Sequence, residues 1–381
     1  MNGLLLQDSG RSGKSRWTTD TIARGEACGI ILSPFTTPKE DRPREKSASQ
    51  IIELVTSAGG TVVFDPTTHA ALLPTTDAWT RYDTWDLWGS PRRDVSDKTR
   101  RQEHVRRALD AQTSLGLKPL APTLDLDSSI GQNADVSLEL ATFARSHAGT
   151  VAMAIVGSGA FWAQGRLLDD YVGQIAQLRP AGVFLSVRRH EISYPPDALR
   201  AEIAGLCRSV YSLSRRCEVV VQFSDYFGLP AIAAGASAIG TGWDLRQRVL
   251  APPAFRVDTT TRRTSSRITH SGLYGVLKRP EAELLRRANR AASLRLVPGV
   301  LPADGNALWE HHLHVLASTT ALLLCQTNER TRSMWLRDQY RTALAEFAQV
   351  DRLVVRLHAD STKWLDAVSN GLGDFMIGEG W

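Results

Sequence analysis

The stretch Thr61-Val62-Val63-Phe64-Asp65-Pro66 limits the fold more than any other. It is an apolar run of β-formers that ends in one carboxylate and turns at once. A strand covered on both faces reads as such a continuous apolar run. The design recurs along the chain at residues 4–7, 29–35, 122–127, 151–156, 181–187, 218–223 and 237–243. Most of these runs are separated by stretches with helical spacing. Residues 47–58, for example, place Ile51, Ile52, Leu54 and Val55 at helical intervals and stop at Gly59-Gly60. Further helices are expected at 100–115, 136–148, 167–178, 197–213 and 229–234. Strands alternating with helices point to an α/β fold with a parallel sheet.

The expected architecture is a (β/α)8 TIM-type barrel over residues 1–250. A basic helical C-terminal region, 251–381, is expected to complete the barrel and to contact nucleic acid, with helices at 281–293, 307–326 and 332–350. A doubly wound open sheet is the alternative, but no G-x-G-x-x-G opens a helix. Polar residues gather where the apolar runs end: Asp65, Asp125, Asp127, Arg188, Gln222, Asp225 and Asp244. In a barrel these ends meet on one rim, where barrel chemistry sits.

The length of 381 residues accommodates one barrel and an appendage. Cys28, Cys207, Cys217 and Cys325 are scattered, with no C-x-x-C pair, which argues against a disulfide framework and against a zinc ribbon. No signal-like apolar segment follows Met1 and no long apolar run exists, so a reduced, cytoplasmic protein without a membrane span is expected. The net charge of +5 is uneven. Residues 245–300 hold twelve Arg or Lys against Asp258, Glu281 and Glu283. Such a concentration is the footprint of phosphate-backbone binding, with Arg262, Arg263, Arg267, Lys278 and Arg279 as candidate contacts. A solvated arginine-rich surface is the plainer account. Arg188, Arg189 and His190 at a strand end could bind phosphate or pair with rim acids.

Two motifs are set aside. Asp8-Ser9-Gly10-Arg11-Ser12-Gly13-Lys14-Ser15 has Asp8 where a P-loop needs glycine, and no apolar helix follows. Glu310-His311-His312-x-His314 lacks H-E-x-x-H spacing, and adjacent helical histidines point to different sides. No metal and no cofactor are expected. Asp225 and Asp244 are expected to cap helices or loops. Trp79, Trp85 and Trp88, with Tyr82, lie in a long connection, as stacking residues or as barrel packing.

Taken in order, several stretches resemble the tRNA-guanine transglycosylase superfamily. They are Gly10-Arg11-Ser12-Gly13-Lys14, Ile31-Leu32-Ser33-Pro34-Phe35, Phe64-Asp65-Pro66-Thr67-Thr68, Thr123-Leu124-Asp125-Leu126, Ala154-Ile155-Val156-Gly157-Ser158-Gly159, Leu185-Ser186-Val187, and Gly228-Leu229-Pro230 through Gly235-Ala236-Ser237. The resemblance implies a (β/α)8 barrel that cleaves an N-glycosidic bond and exchanges the base, with Asp125 reading the base. The departures are specific. The family's nucleophilic Asp falls at Gly240 and its base-reading Gln at Gly157. Pro66-Thr67-Thr68 replaces Ser-Gly-Gly, and the cysteine-rich zinc site has no counterpart.

Without a nucleophile at Gly240, water must accept the glycosyl group. Asp65 is then the candidate carboxylate for the oxocarbenium-like centre, and Asp127 could share its task or that of Asp125. Asp125, Ser158, Gln222 and Trp243 are the candidate base-binding residues. The expected activity is that of a nucleic-acid N-glycosylase acting on a flipped-out modified base, with DNA favoured over tRNA. It is similar to an offshoot of the superfamily used in bacterial phage defence, which excises glucosylated hydroxymethylcytosine. A tRNA transglycosylase using Asp65 or Asp244, and an inactive nucleic-acid-binding barrel, are the competing expectations.

Overall fold

The computed structural model describes residues 1–8, 14–76, 80–89, 93–255, 266–303, 305–353 and 359–381. Strand and helix alternate through the first two thirds: β1 (Gly3–Gln7), α1 (Lys14–Ala23), β2 (Gly29–Leu32), α2 (Ala48–Ser57), β3 (Thr61–Phe64), the short α3 (Thr68–Ala71) and α4 (Thr80–Asp83), and α5 (Lys98–Ser114). There follow β4 (Asp125–Leu126), α6 (Gln132–Ala148), β5 (Met153–Ser158), α7 (Gly159–Trp162), α8 (Arg166–Gln177), β6 (Gly182–Arg188), α9 (Arg200–Ser214), β7 (Glu218–Gln222), α10 (Leu229–Ala233), β8 (Ala238–Thr241) and α11 (Leu245–Arg248). The remainder comprises a hairpin of β9 (Arg267–His270) and β10 (Gly275–Lys278), then α12 (Arg279–Ala288), α13 (Arg290–Leu296), α14 (Asn306–Leu324), α15 (Glu329–Leu353) and α16 (Ala359–Gly378).

Local chemistry accounts for the helix boundaries. Ser47 caps α2 by accepting from the Gln50 amide at 3.4 Å, and Asp97 caps α5 through the Arg100 amide at 2.9 Å. In α8, Leu168, Tyr171, Val172 and Ile175 recur on one buried stripe.

All eight expected strands form, and they make one sheet in the order β3-β2-β1-β8-β7-β6-β5-β4. Every ladder in it is parallel. This is the strand order of an eight-fold β/α ring opened between β3 and β4. Among the described residues no ladder joins those two, so the structure is a curled parallel sheet where a closed ring was expected. The prolines give the reason. Pro119 and Pro122 lack the N–H that a ladder needs, so β4 shrinks to two residues preceded by a bridge between Leu120 and Ala152. Pro66 stands just past the end of β3.

The curl is nevertheless deep. Leu5, Ile31, Val63, Leu120, Phe184, Val220 and Ala238 form an apolar cluster separate from the main core, with Ala152 and Ala154 against it. These residues come from every part of the sheet, including β3 and the run ahead of β4. They line the concave side, while the much larger cluster fills the space between the convex side and the helices.

The C-terminal region is packed into the same core. Leu313 and Leu316 of α14, Leu336 and Phe347 of α15, and Leu372 of α16 join the strand residues in one cluster. α14 lies on β1 and α10, the place of a last barrel helix, while α15 packs on α10 and α16 on α9. The basic stretch expected as one helix is two. Asn289 leaves helical geometry, and its side chain caps α13 through the Ala292 amide at 2.9 Å. α1 was not expected, because its buried side chains include Lys14, Thr18 and Thr21 beside Ile22, which hides the apolar period. Among the described residues no helix is long and apolar enough to cross a membrane.

Gly205 of α9 shows how closely the outer layer fits. A Cβ there would stand 1.8 Å from the Trp162 carbonyl oxygen at the end of α7. Gly205→Ala is therefore expected to destabilise the fold by about 1–3 kcal/mol, the usual cost of overpacking. Urea unfolding would show this as a lowered midpoint with an unchanged slope.

Candidate functional site

Side chains two apart on a strand share a face, so the concave side can be followed upward from its apolar floor. Leu5 leads to Gln7, Ile31 to Ser33, Val63 to Asp65, Phe184 to Ser186 and Arg188, Val220 to Gln222, and Ala238 to Gly240. Asp125 is the register partner of Val156, and Ser158 that of Arg188. The concave face thus changes from wholly apolar to mainly polar toward the C-terminal ends of the strands. Asp65, Asp125, Ser158, Arg188 and Gln222, all expected at the site, belong to this polar layer.

Arg188 organises it. Its Nε lies 2.5 Å from Asp125 Oδ2, and its Nη2 donates to Asp127 Oδ1. Asp127 is 81% exposed and Asp125 24%, so the guanidinium ties an outer acid to an inner one. Asp65 is buried; its Oδ1 accepts from the Thr67 amide at 2.7 Å. Thr67 holds a left-handed backbone, φ 53°, and its hydroxyl meets Ser33 Oγ at 2.8 Å. Thr68 then bonds to His104 Nε2 at 2.9 Å, and His69 follows, buried, against the edge of Phe255.

His69 was not foreseen. It stands four residues past Asp65 with no motif around it, and only the fold brings it near Asp65, Asp125 and Arg188. Burial pushes its pKa down; Asp65 and Asp125 oppose that, and Arg188 adds to it. Five atoms of this region are buried without a hydrogen-bond partner: Gln7 Nε2, His69 Nε2, Asp125 Oδ1, Gln222 Oε1 and Arg188 Nε, the last ion-paired with Asp125. Native interiors leave few such atoms unmatched, so these atoms make the polar layer the candidate place for a polar guest.

Other expected residues have structural partners. The Ser158 hydroxyl caps α7 by accepting from the Phe161 amide at 3.4 Å. Arg189 forms a bidentate pair with Glu202, whose carboxyl is raised by burial against the pull of that arginine. Trp243 is buried with Trp17 and Trp309 around the Lys14 ammonium, which lies 3.4–4.9 Å from the three ring centres. Trp85 and Trp88 are packing residues: Trp85 donates to the Thr37 carbonyl, and Trp88 stacks on His104 at 3.7 Å. Arg279 donates to the Pro302 carbonyl at 2.5 Å, and Arg267 and Lys278 are partly buried on the hairpin. Arg262, Arg263 and Trp79 lie outside the described residues.

Asp225 corrects a second expectation. It opens a 3-10 turn, Asp225–Gly228, and beyond that local role it is a buried hub. Its Oδ1 accepts from Tyr194 Oη at 2.7 Å and the Tyr226 amide at 2.8 Å. Its Oδ2 accepts from Thr241 Oγ1 at 2.6 Å and His312 Nε2 at 2.9 Å, with Arg248 Nε 3.6 Å away. Burial by itself would raise this carboxyl. His312, Arg248 and Thr241 reverse that and hold it well below the ordinary carboxylate range. His312 is held low by burial and Arg248, and its Nδ1 accepts from Thr269 at 2.8 Å. The neighbouring histidines diverge, His311 to the Thr269 carbonyl and His314 to Glu26. Among the described residues no group of His, Cys, Asp and Glu is arranged to hold a metal. Asp244 does cap, closing a capping box on α11. A small cavity joins this hub to the polar layer, lined by Arg189, Tyr194, Gln222, Phe227 and Arg248.

Two glycines close positions rather than open them. A Cβ at Gly240 would come within 2.8 Å of Gln222 Cα and the Phe223 amide nitrogen, both backbone atoms of the neighbouring chain segment. A Cβ at Gly157 would stand 2.2 Å from the Phe161 ring. No protein-family model matches this chain, and no curated protein matches it significantly.

Two outcomes follow from these contacts. Asp225→Ala leaves Arg248 buried without its carboxylate, and is expected to cost about 3–5 kcal/mol in denaturant unfolding. Burial lowers His104 to about 4 and His270 to about 3. Both are neutral when folded, whereas the unfolded chain takes up these protons near pH 6.5. Stability is therefore full above that pH and falls as pH drops toward 4, by roughly 3 kcal/mol for His104 alone. Urea midpoints measured across this range should lose the His104 share of the slope in a His104→Gln variant.

Proposed function

We propose that this chain is a nucleic-acid N-glycosylase that hydrolyses the bond between a sugar and a modified base, acting on DNA in preference to tRNA. The observation that carries the reading is the polar concave layer. It holds two carboxylates, Asp65 and Asp125, together with buried donor and acceptor atoms that have no partner. A nucleobase edge offers both N–H and C=O groups in a plane. Asp125 Oδ1 and Gln222 Oε1 would accept from it, and Gln7 Nε2 would donate.

Asp65 would stabilise the positive charge that develops on the sugar as the bond lengthens. The Thr67 amide fixes one of its oxygens and leaves the other for the sugar. Position 240 has no room for a side chain, which favours water as the acceptor over a covalent intermediate. Both departures from the tRNA-guanine transglycosylase pattern, Gly240 and Gly157, are built into the packing. In this reading the curled sheet is a (β/α)8 barrel of that superfamily's type. Arg262, Arg263, Arg267, Lys278 and Arg279 would meet the phosphates, and the enzyme would work in the cytoplasm against phage DNA. Glucosylated hydroxymethylcytosine is the base we put first.

The test is incubation with phage DNA carrying that base, with unmodified DNA and with tRNA, followed by identification of the released base by mass. Release from the modified DNA is expected, with no incorporation of labelled free base. Asp65→Ala should lower the rate by about 10²–10³-fold, and Asp125→Ala should act mainly on KM. Wild-type protein that releases no base from any of the three polymers would overturn the reading.

A further inference from the structure

We propose that His69 is the base that takes the proton from the attacking water. The inference rests on the glycosylase reading above and supplies what that reading lacks, a group to activate the nucleophile. A closed position 240 leaves the attack to water, and water at neutral pH needs a proton acceptor in hydrogen-bond reach.

The two carboxylates are poor choices for that task. Asp65 has one oxygen held by the Thr67 amide and is assigned to the sugar's charge. Asp125 is ion-paired with Arg188. His69 has Nε2 buried and unpartnered, and with its proton on Nδ1 that nitrogen presents a lone pair. Its place is fixed relative to Asp65. The Thr67 amide is bound to the Asp65 carboxylate, the Thr67 hydroxyl meets Ser33, and the Thr68 hydroxyl meets His104. Each bond starts from one of the three residues that separate the two groups, so the turn holds the imidazole and the carboxylate as one unit. The charged groups that bear on the ring are Asp65 from the strand end before it, Asp125 from β4 and Arg188 from β6; the aromatic neighbour is Phe255. Burial and Arg188 outweigh the two acids, so the imidazole is neutral at pH 7 and able to accept.

The step balances without any co-reactant. The water oxygen forms a bond to the anomeric carbon as the carbon–nitrogen bond breaks and its electron pair leaves with the base. The water proton passes to His69 Nε2. The imidazolium then returns a proton to the departed base, giving a free sugar hydroxyl, a neutral base and a neutral histidine.

The experiment is a pH–rate profile of base release for wild type, His69→Gln and His69→Ala, the last with and without added imidazole. In the wild type, kcat/KM should fall with unit slope on the acid side, below the ordinary histidine range, as His69 takes up a proton. His69→Gln should lose that limb and about 10²-fold or more in rate, with little change in KM. Imidazole should restore much of the lost rate to His69→Ala. A His69→Gln protein with wild-type rate and an intact limb overturns the inference and leaves the glycosylase reading standing. Should the variants fail to fold, the wild-type profile decides: a rate flat down to the carboxylate range overturns it. A wild type that releases no base at any pH removes the parent reading, and this inference with it.

Discussion

The concave face of the sheet carries a single physical constraint, a floor that must stay dry beneath a layer that must not. Leu5, Val63, Leu120, Phe184 and Val220 fill the lower space with side chains that need no partners. Two residues further along, the same strands present Gln7, Asp65, Arg188 and Gln222. Each apolar layer below raises the cost of leaving the polar layer unmatched, because charges and amides there see little water. Arg188 resolves part of that cost by bridging Asp125 and Asp127. What remains unmatched in that layer includes Gln7 Nε2, Asp125 Oδ1 and Gln222 Oε1.

A second network holds the C-terminal region to this rim. Asp225 follows β7, accepts from Thr241 of β8, faces Arg248 of α11 and receives His312 from α14. His312 in turn reaches Thr269 of the hairpin. Five separate segments therefore depend on one ionised carboxylate. The arrangement has the form of an acid–histidine–hydroxyl relay, yet every member is buried, and its evident effect is to fix α14 and the hairpin against the strand ends. Tyr194 and Arg248, both beside that carboxylate, also line the cavity next to Gln222.

The strands were legible because each is a short apolar run that ends in a turn, a pattern that survives in one dimension. Ring closure was not legible, since it turns on whether Pro119 and Pro122 leave enough donors to pair β4. The helix α1 and the hairpin escaped notice because their buried positions include Lys14, Thr269 and His270, which carry no apolar period. Asp65, Asp125 and Gln222 could be picked out as polar ends of apolar runs. His69 could not, because its meaning lies in what surrounds it after folding. The reach of Asp225 was hidden for the same reason: a lone acid after a strand reads as a local cap and no more until His312, eighty-seven positions on, is brought beside it.

The glycine at position 240 sets how closely two neighbouring strands lie. Some glycine codons lie a single base from an aspartate codon, so replacement of one by the other is a small step for a gene. Here that change would drive a side chain into the backbone of the strand next door. To take any side chain at that place the two strands would first have to move apart. The spacing between β7 and β8 thus reserves position 240 for a residue without a side chain.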